Sequence, residues 1–226
     1  LIDLSTKYDI VLETQENRRK IMDAIETFNV DDKVVEIYQD EDPSNPRDSE
    51  YQDNCDMFIC FHRRYNLGDK HNYRFEDYSG WDEMEDQIIK DLDPIEIRRL
   101  YLYDHSGLTI ADHPFDCPWD SGQIGFALIT KKSAREEYKV KRISPKIKKW
   151  AKEYLDATIK EYDNYLTGSV YGYIIKDQDD NQLDSCWGFN GEIEYVKEEA
   201  TNTAKDITIP PKPEPVNPDQ LQLNLT

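Results

Sequence analysis

The chain has 226 residues, 38% of them hydrophobic and 12% aromatic, with fifteen Tyr and four Trp; that payload suits a packed core and excludes a wholly disordered chain. Twenty-eight Lys and Arg stand against 47 Asp and Glu, a net charge of −19, which repels duplex nucleic acid and anionic membrane rather than attracting them. No apolar run reaches the roughly eighteen residues of a membrane span, and no basic then apolar leader opens the sequence, so the chain reads as soluble and without an export signal.

In chain order, Tyr8–Glu13 is short and rich in Val, Ile and aromatic character and predicts a strand. Asn17–Phe28 places Ile21, Met22, Ile25 and Phe28 on one helical face. Lys33–Tyr38 and Met57–Phe61 again predict strands. Trp81–Leu92 predicts a short acidic helix, with Pro94 marking the start of the next segment. Leu100–Tyr103 and Gln123–Ile129 are strand-like. Ser144 as N-cap and Pro145 in the first turn open an apolar stripe that includes Ile147, Ala151, Leu155, Ile159 and Tyr162 and stops at Gly168. Ser169–Ile175 and Asp184–Phe189 then form a hairpin around the polar turn Asp177–Gln182.

The expected fold class is α+β: a largely antiparallel sheet, one long amphipathic helix over about 144–167, shorter helices and a disordered Pro-rich tail. Neither a GxGxxG nor a P-loop run is present, and strands do not alternate with helices as a Rossmann fold requires. Residues 1–202 are expected to form one acidic domain and residues 203–226 a flexible tail, since Ile207–Thr226 holds five of the eleven prolines and no aromatic residue. Cys55, Cys60, Cys117 and Cys186 lack framework spacing and read as reduced thiols of a cytosolic protein.

Three groups of residues bear on chemistry. Asp104, His105 and Ser106 are contiguous, and neighbours in extended backbone point to opposite faces, so contiguity alone makes no triad. The better catalytic arrangement takes Cys117 or Ser121 as nucleophile, His105 or His113 as base, and Asp120 or Asp104 as orienter, on a loop from His105 to Gln123. The competing reading has Phe115 and Trp119 plugging the sheet while Asp120, Ser121 and Gly122 cap a turn. Cys60 and His62, with His105, His113 and Cys117, offer ligands for a tetrahedral zinc, but no C-x-x-C or H-E-x-x-H spacing supports it. No cofactor is implied.

The charge is segregated. Residues 131–149 carry nine basic side chains and two acidic ones, which reads as solvated helix faces and loops, or as a patch that meets the acidic remainder of this chain or of a second copy. Candidate surface carboxylates form two runs, Asp31, Asp32, Glu36, Asp40, Glu41 and Asp42, and Asp82, Glu83, Glu85 and Asp86. A basic groove built for phosphates would accept them at comparable spacing.

The strings Tyr101-Leu-Tyr-Asp-His-Ser-Gly107, Cys117-Pro-Trp-Asp-Ser-Gly-Gln123, Tyr162-Asp-Asn-Tyr-Leu-Thr-Gly168 and Asp184-Ser-Cys-Trp-Gly-Phe189, together with Cys60-Phe-His-Arg-Arg-Tyr-Asn-Leu-Gly68, resemble a family of uncharacterised proteins encoded by bacteriophages and related mobile elements. The resemblance covers roughly residues 55 to 190 and implies a phage product acting in a bacterial host's cytoplasm; it carries no established activity. The terminal Gln220-Leu-Gln-Leu-Asn-Leu225 resembles the hexapeptide with which bacterial replication proteins grip the DNA polymerase sliding clamp. On a flexible tether, Leu221, Leu223 and Leu225 would be apolar anchors and Gln220 a rim hydrogen-bonding group. Together these readings favour an interaction protein, most directly an inhibitor of a defence nuclease of the restriction or CRISPR type. A clamp-binding replication accessory and a Cys/His-dependent hydrolase or transferase are the alternatives.

Overall fold

A computed structural model describes residues 23–48 and 54–209. The strand expected over Tyr8–Glu13, the first half of the helix expected over Asn17–Phe28, and the hexapeptide at Gln220–Leu225 lie outside the described residues. The described residues divide into two compact units: 23–37 with Tyr173–Cys186 and 196–209 form one, while those of Tyr38–Gly172 with Trp187–Tyr195 form the other. The chain passes between the two units within strands.

The first unit holds all or the larger part of each strand of a four-stranded sheet. Strand β1 (Glu26–Val30) pairs antiparallel with β2 (Lys33–Gln39) across a tight turn in which Asp31 takes a φ of 53°, a left-handed conformation that Asp tolerates. With β7 (Val170–Lys176) and β8 (Gln182–Asn190) the strand order is β1-β2-β7-β8. The helical face expected at Phe28 is corrected. Phe28 and Val30 alternate with exposed Thr27 and Asn29, so a period of two, not 3.6, describes this segment. Helix α4 (Ile193–Asp206) buries Val196, Ala200 and Ala204 at four-residue spacing and runs beyond residue 202 into the segment expected to be tail. Lys176 bridges Glu36 (2.9 Å) and Asp180 (3.0 Å), Lys197 meets Glu26 (2.7 Å), and the Tyr173 hydroxyl donates to Thr203 Oγ1 (3.1 Å).

The second unit carries a second antiparallel sheet, in the order β3-β6-β4-β5, from β3 (Asp56–Cys60), β4 (Pro94–Asp104), β5 (Leu108–Ala111) and β6 (Ser121–Thr130). Two sheets thus stand where one was expected, and the stretch His105–Gln123, expected to be a long loop, contains a strand. Helix α3 (Pro145–Thr167) begins where the Ser144 hydroxyl accepts from the Ile147 N–H (3.3 Å) and ends at Gly168, whose φ of 74° only glycine adopts readily. Its Ile147, Ala151, Leu155, Ile159 and Tyr162 pack with Phe58, Leu100, Leu102 and Ala127 on one face of the sheet. Helix α1 (Trp81–Leu92) lays Met84 and Ile88 against Ile59, Phe126 and Leu128 on the other. Alternation of side chains along β3 and β6 feeds both cores at once. Helix α2 (Lys131–Tyr138) starts the basic segment, with the Thr130 hydroxyl accepting from Ser133 N–H (2.9 Å). No helix among the described residues is long and apolar enough to cross a membrane.

Two devices in this unit position the site described below. In β6 the pairing skips from Leu100↔Gly125 to Tyr101↔Gln123, so Ile124 is an extra, bulged residue and the facing of the strand reverses there. Gly125 sits so close to β3 that an added Cβ would fall 1.9 Å from the Ile59 carbonyl oxygen. Further along, Arg47 is sealed from solvent, its side chain 2% exposed. It holds Asp56 at 3.1 Å, grips Asp69 through Nε (3.0 Å) and Nη2 (2.6 Å), and lies 4.2 Å over the Phe58 ring. Asp69 Oδ2 also accepts the Phe58 N–H (2.7 Å). The network ties the loop after β3 to the strand itself.

Candidate functional site

An open cleft of about 1360 Å³ lies in the second unit. One wall is the loop that leaves β3, carrying His62, Arg63, Arg64 and Tyr65. The turn Trp119–Gln123 that enters β6 also lines it, as do Tyr73–Glu76, Trp81 and Asp104. The Ile124 bulge and the buried Leu102 form part of its floor. Tilted aromatic rings pack together along it: Phe61 lies 4.9 Å from His71 and 6.0 Å from Phe75, and Phe75 lies 4.6 Å from Trp81.

The catalytic residues singled out in the sequence come together only in part. Asp120 Oδ2 is a shared acceptor: the His105 Nδ1 lies 3.1 Å from it and the Cys117 thiol donates to it at 3.7 Å. Thiol and imidazole both address the carboxylate, with no hydrogen bond between them. The nucleophile-to-base contact that a cysteine mechanism requires is therefore missing. Ser121 is committed elsewhere, its hydroxyl donating to the Cys117 carbonyl at 2.6 Å to close the turn. Asp104 orients no histidine; Arg64 pairs with it, and the Tyr65 hydroxyl donates to it at 3.4 Å. His105 and Ser106 form a tight turn to β5, with Ser106 at a φ of 56°. His113 lies away from the cleft, beside Asp112 (3.2 Å), lining a second hollow of about 440 Å³ between β5 and α3.

Exposure separates this arrangement from an enclosed active site. The His105 side chain is 64% exposed, so water screens its interaction with Asp120. Trp119 does not plug the sheet as one reading expected: it is 93% exposed, held out by the turn between Cys117 and Ser121.

The zinc candidates do not converge, and among the described residues no three His, Cys, Asp or Glu side chains group as a metal site. Cys60 points into the core beside Gly68, and burial pushes its thiol up to about 12. The Nδ1 of His62 accepts the backbone N–H groups of Arg64 and Tyr65, both at 3.3 Å, which leaves the ring proton on Nε2. All four cysteines are free thiols.

The acidic runs are partly spent within the fold. Asp82 and Glu85 both turn onto Arg99, the former at 2.6 Å. Their hydrogen bonds hold that guanidinium above its ordinary range. Glu83 accepts from the Ser79 N–H (2.7 Å) and hydroxyl (2.6 Å) ahead of α1, and Asp32 pairs with Lys33 (2.7 Å). Glu36 is bound to Lys176. Asp31, Glu41, Asp42 and Asp86 remain exposed, while Asp40 is half-buried and accepts the Asp42 N–H (3.2 Å).

What the sequence reading missed is the cleft itself. Its side chains come from four separated segments, and the small arginine cluster Arg63, Arg64 and Arg74 is invisible in a chain whose overall charge is strongly negative. Comparison with protein-family models, curated proteins and solved structures finds no match to this chain.

Proposed function

We propose that this chain is an acidic interaction protein of a bacteriophage, acting in the host cytoplasm on nucleic-acid machinery and most directly inhibiting a defence nuclease by occupying its basic groove. The observation that carries the reading is the net charge of −19, together with the solvent-facing carboxylates Asp31, Glu41, Asp42 and Asp86 and the outer side of Asp82, which is 90% exposed beside Arg99. Arginine and lysine rows that normally meet phosphates attract such carboxylates and associate with them rapidly in a salt-sensitive way. The test is capture from a bacterial lysate by the full chain, washed at rising salt. A basic nucleic-acid-binding protein should be retained, released as salt increases, and lost when Asp31, Glu41, Asp42, Asp82 and Asp86 are changed to Asn or Gln. A biological effect that survives this neutralisation overturns the reading.

A second reading is favoured by one observation, the convergence of Cys117 and His105 on Asp120. A hydrolase or transferase working there would use His105, oriented through Nδ1, to move a proton at Nε2. Cys117→Ala and His105→Ala variants that fold normally yet abolish the biological effect, while charge neutralisation does nothing, would replace the first reading with this one. The sliding clamp remains a third partner, proposed from Gln220–Leu225 alone.

A further inference from the structure

We propose that the cleft of the second unit binds a nucleotide unit, a planar base with its phosphate, as a free mononucleotide or as part of a short single strand. This goes beyond the acidic-surface reading and does not depend on it.

Three features of the cleft converge on that chemistry. The first is Trp119, whose indole stands 93% exposed on the rim. A ring of that size left in water contributes nothing to folding, whereas it offers a stacking face to any base. Phe75, 36% exposed and packed on Trp81 at 4.6 Å, adds a second aromatic ring to the cleft lining. The second feature is cationic. Arg47, Arg64, Arg98 and Arg99 are all held by carboxylates. Arg63 and Arg74, on two separate segments of the cleft lining, are exposed and have no ion-pair partner among the described residues. Two guanidiniums without an ion-pair partner on the lining of one cavity supply donors suited to a phosphate, although the carboxylates of Glu76, Asp104 and Asp120 share that lining. The third is polar edge recognition: the His62 Nε2–H and the side chains of Asn66 and Gln123 line the same space and can meet the edges of a base.

The overall charge selects the size of the ligand. Screening limits the reach of remote carboxylates to about 8 Å at physiological ionic strength, so a ligand confined to the cleft responds to the groups that line it: the unpaired Arg63 and Arg74, Glu76, and Asp104 and Asp120, which Arg64 and the His105–Cys117 pair already engage. A long duplex responds to the whole surface and is repelled. A short, flexible, stackable anion fits both constraints.

The test is a fluorescence titration of the full chain with AMP, with an oligo-dT of about eight nucleotides, within the usual span of a single-strand site, and with inorganic phosphate. Saturable binding of AMP or of the oligonucleotide is expected, with AMP alone identifying a free nucleotide and tighter oligonucleotide binding identifying a single strand. Trp119→Ala should weaken it about tenfold, the effect of one lost base stack. The double variant Arg63→Ala/Arg74→Ala should weaken it at least as much and flatten the salt dependence, whose logarithmic slope is about −1.4 for two phosphate contacts on a single strand. These side chains are exposed, so the urea midpoint should not move. No saturable binding at millimolar ligand, binding unchanged in both variants, or equal binding of inorganic phosphate that ignores Trp119→Ala overturns the proposal.

Discussion

Arg47 and Asp69 are joined as a two-pronged fork, Nε to Oδ1 at 3.0 Å and Nη2 to Oδ2 at 2.6 Å, and the same guanidinium also holds Asp56. One buried cation therefore serves two carboxylates and anchors the loop that forms a wall of the cleft. Arg47→Ala leaves both acids without their partner, and loss of one member of a buried ion pair costs about 3–5 kcal/mol. Urea denaturation of the variant should register that drop; a change under about 1 kcal/mol would show that the network acts like a surface pair.

The same triad sets a pH dependence. Burial raises the Asp56 carboxyl above its ordinary value of 3.8, with Arg47 opposing. The folded chain thus holds this proton more tightly than the unfolded chain. Its stabilising contribution is complete below 3.8 and is lost as pH rises through the raised value. Asp56→Asn removes that dependence, so the stability of the variant relative to the parent should improve between pH 4 and pH 7. Urea midpoints measured at both ends check the sign, and a relative decline contradicts it.

Gly125 allows β6 to approach β3 at a distance no side chain permits, because a Cβ would lie 1.9 Å from the Ile59 carbonyl oxygen. Gly125→Ala must push the two strands apart. A loss of about 3 kcal/mol, the upper end of overpacking effects, is expected in thermal or urea unfolding. A near-neutral variant would mean that β3 shifts freely.

Thiol reactivity should divide the cysteines by depth. Burial pushes Cys60 up to about 12 and Cys55 up to about 11, so neither supplies thiolate at pH 8, whereas Cys186 is exposed. Mass spectrometry after brief alkylation should find Cys186 modified in the native protein and Cys60 modified only after unfolding. Rapid native labelling of Cys60 would refute its placement in the core.

Deletion of Gln220–Thr226 tests the terminal hexapeptide. If its leucines anchor the chain to a sliding clamp, the truncated protein should bind purified clamp at least tenfold more weakly, a difference of about 1.4 kcal/mol. Equal affinity by surface plasmon resonance removes the clamp from consideration.

Much of the local structure was legible because short-range physics marks it twice. At Trp81–Leu92 the spacing of Met84 and Ile88 agrees with the Pro94 that follows. At Ser144 and Gly168 the two ends of a helix carry their own capping chemistry. What stayed hidden depends on partners distant in the chain. Alternation identifies a strand but not the sheet it joins, so the division into two sheets had no local signal. Helix α4 buries Val196, Ala200 and Ala204, two of the three too small to register as an apolar stripe. The meeting of His105 with Asp120 was within the expected set, yet the assignment of Asp104 to Arg64 depends on a loop forty positions earlier. The pairing of two surface carboxylates was hidden for the same reason, since Arg99 reaches Asp82 and Glu85 across the sheet-to-helix contact.

The interleaving of the two units along the chain governs the order in which the protein can be made. As synthesis proceeds, β1 and β2 leave the ribosome early, but the free edge of β2 has its neighbour only once β7 has been translated, after nearly all of the second unit. Until then a strand rich in valine and isoleucine offers unpaired backbone groups to other nascent chains. The acidic turn at Asp31 and Asp32 beside that edge is thus well placed to keep such chains apart by mutual repulsion during the wait.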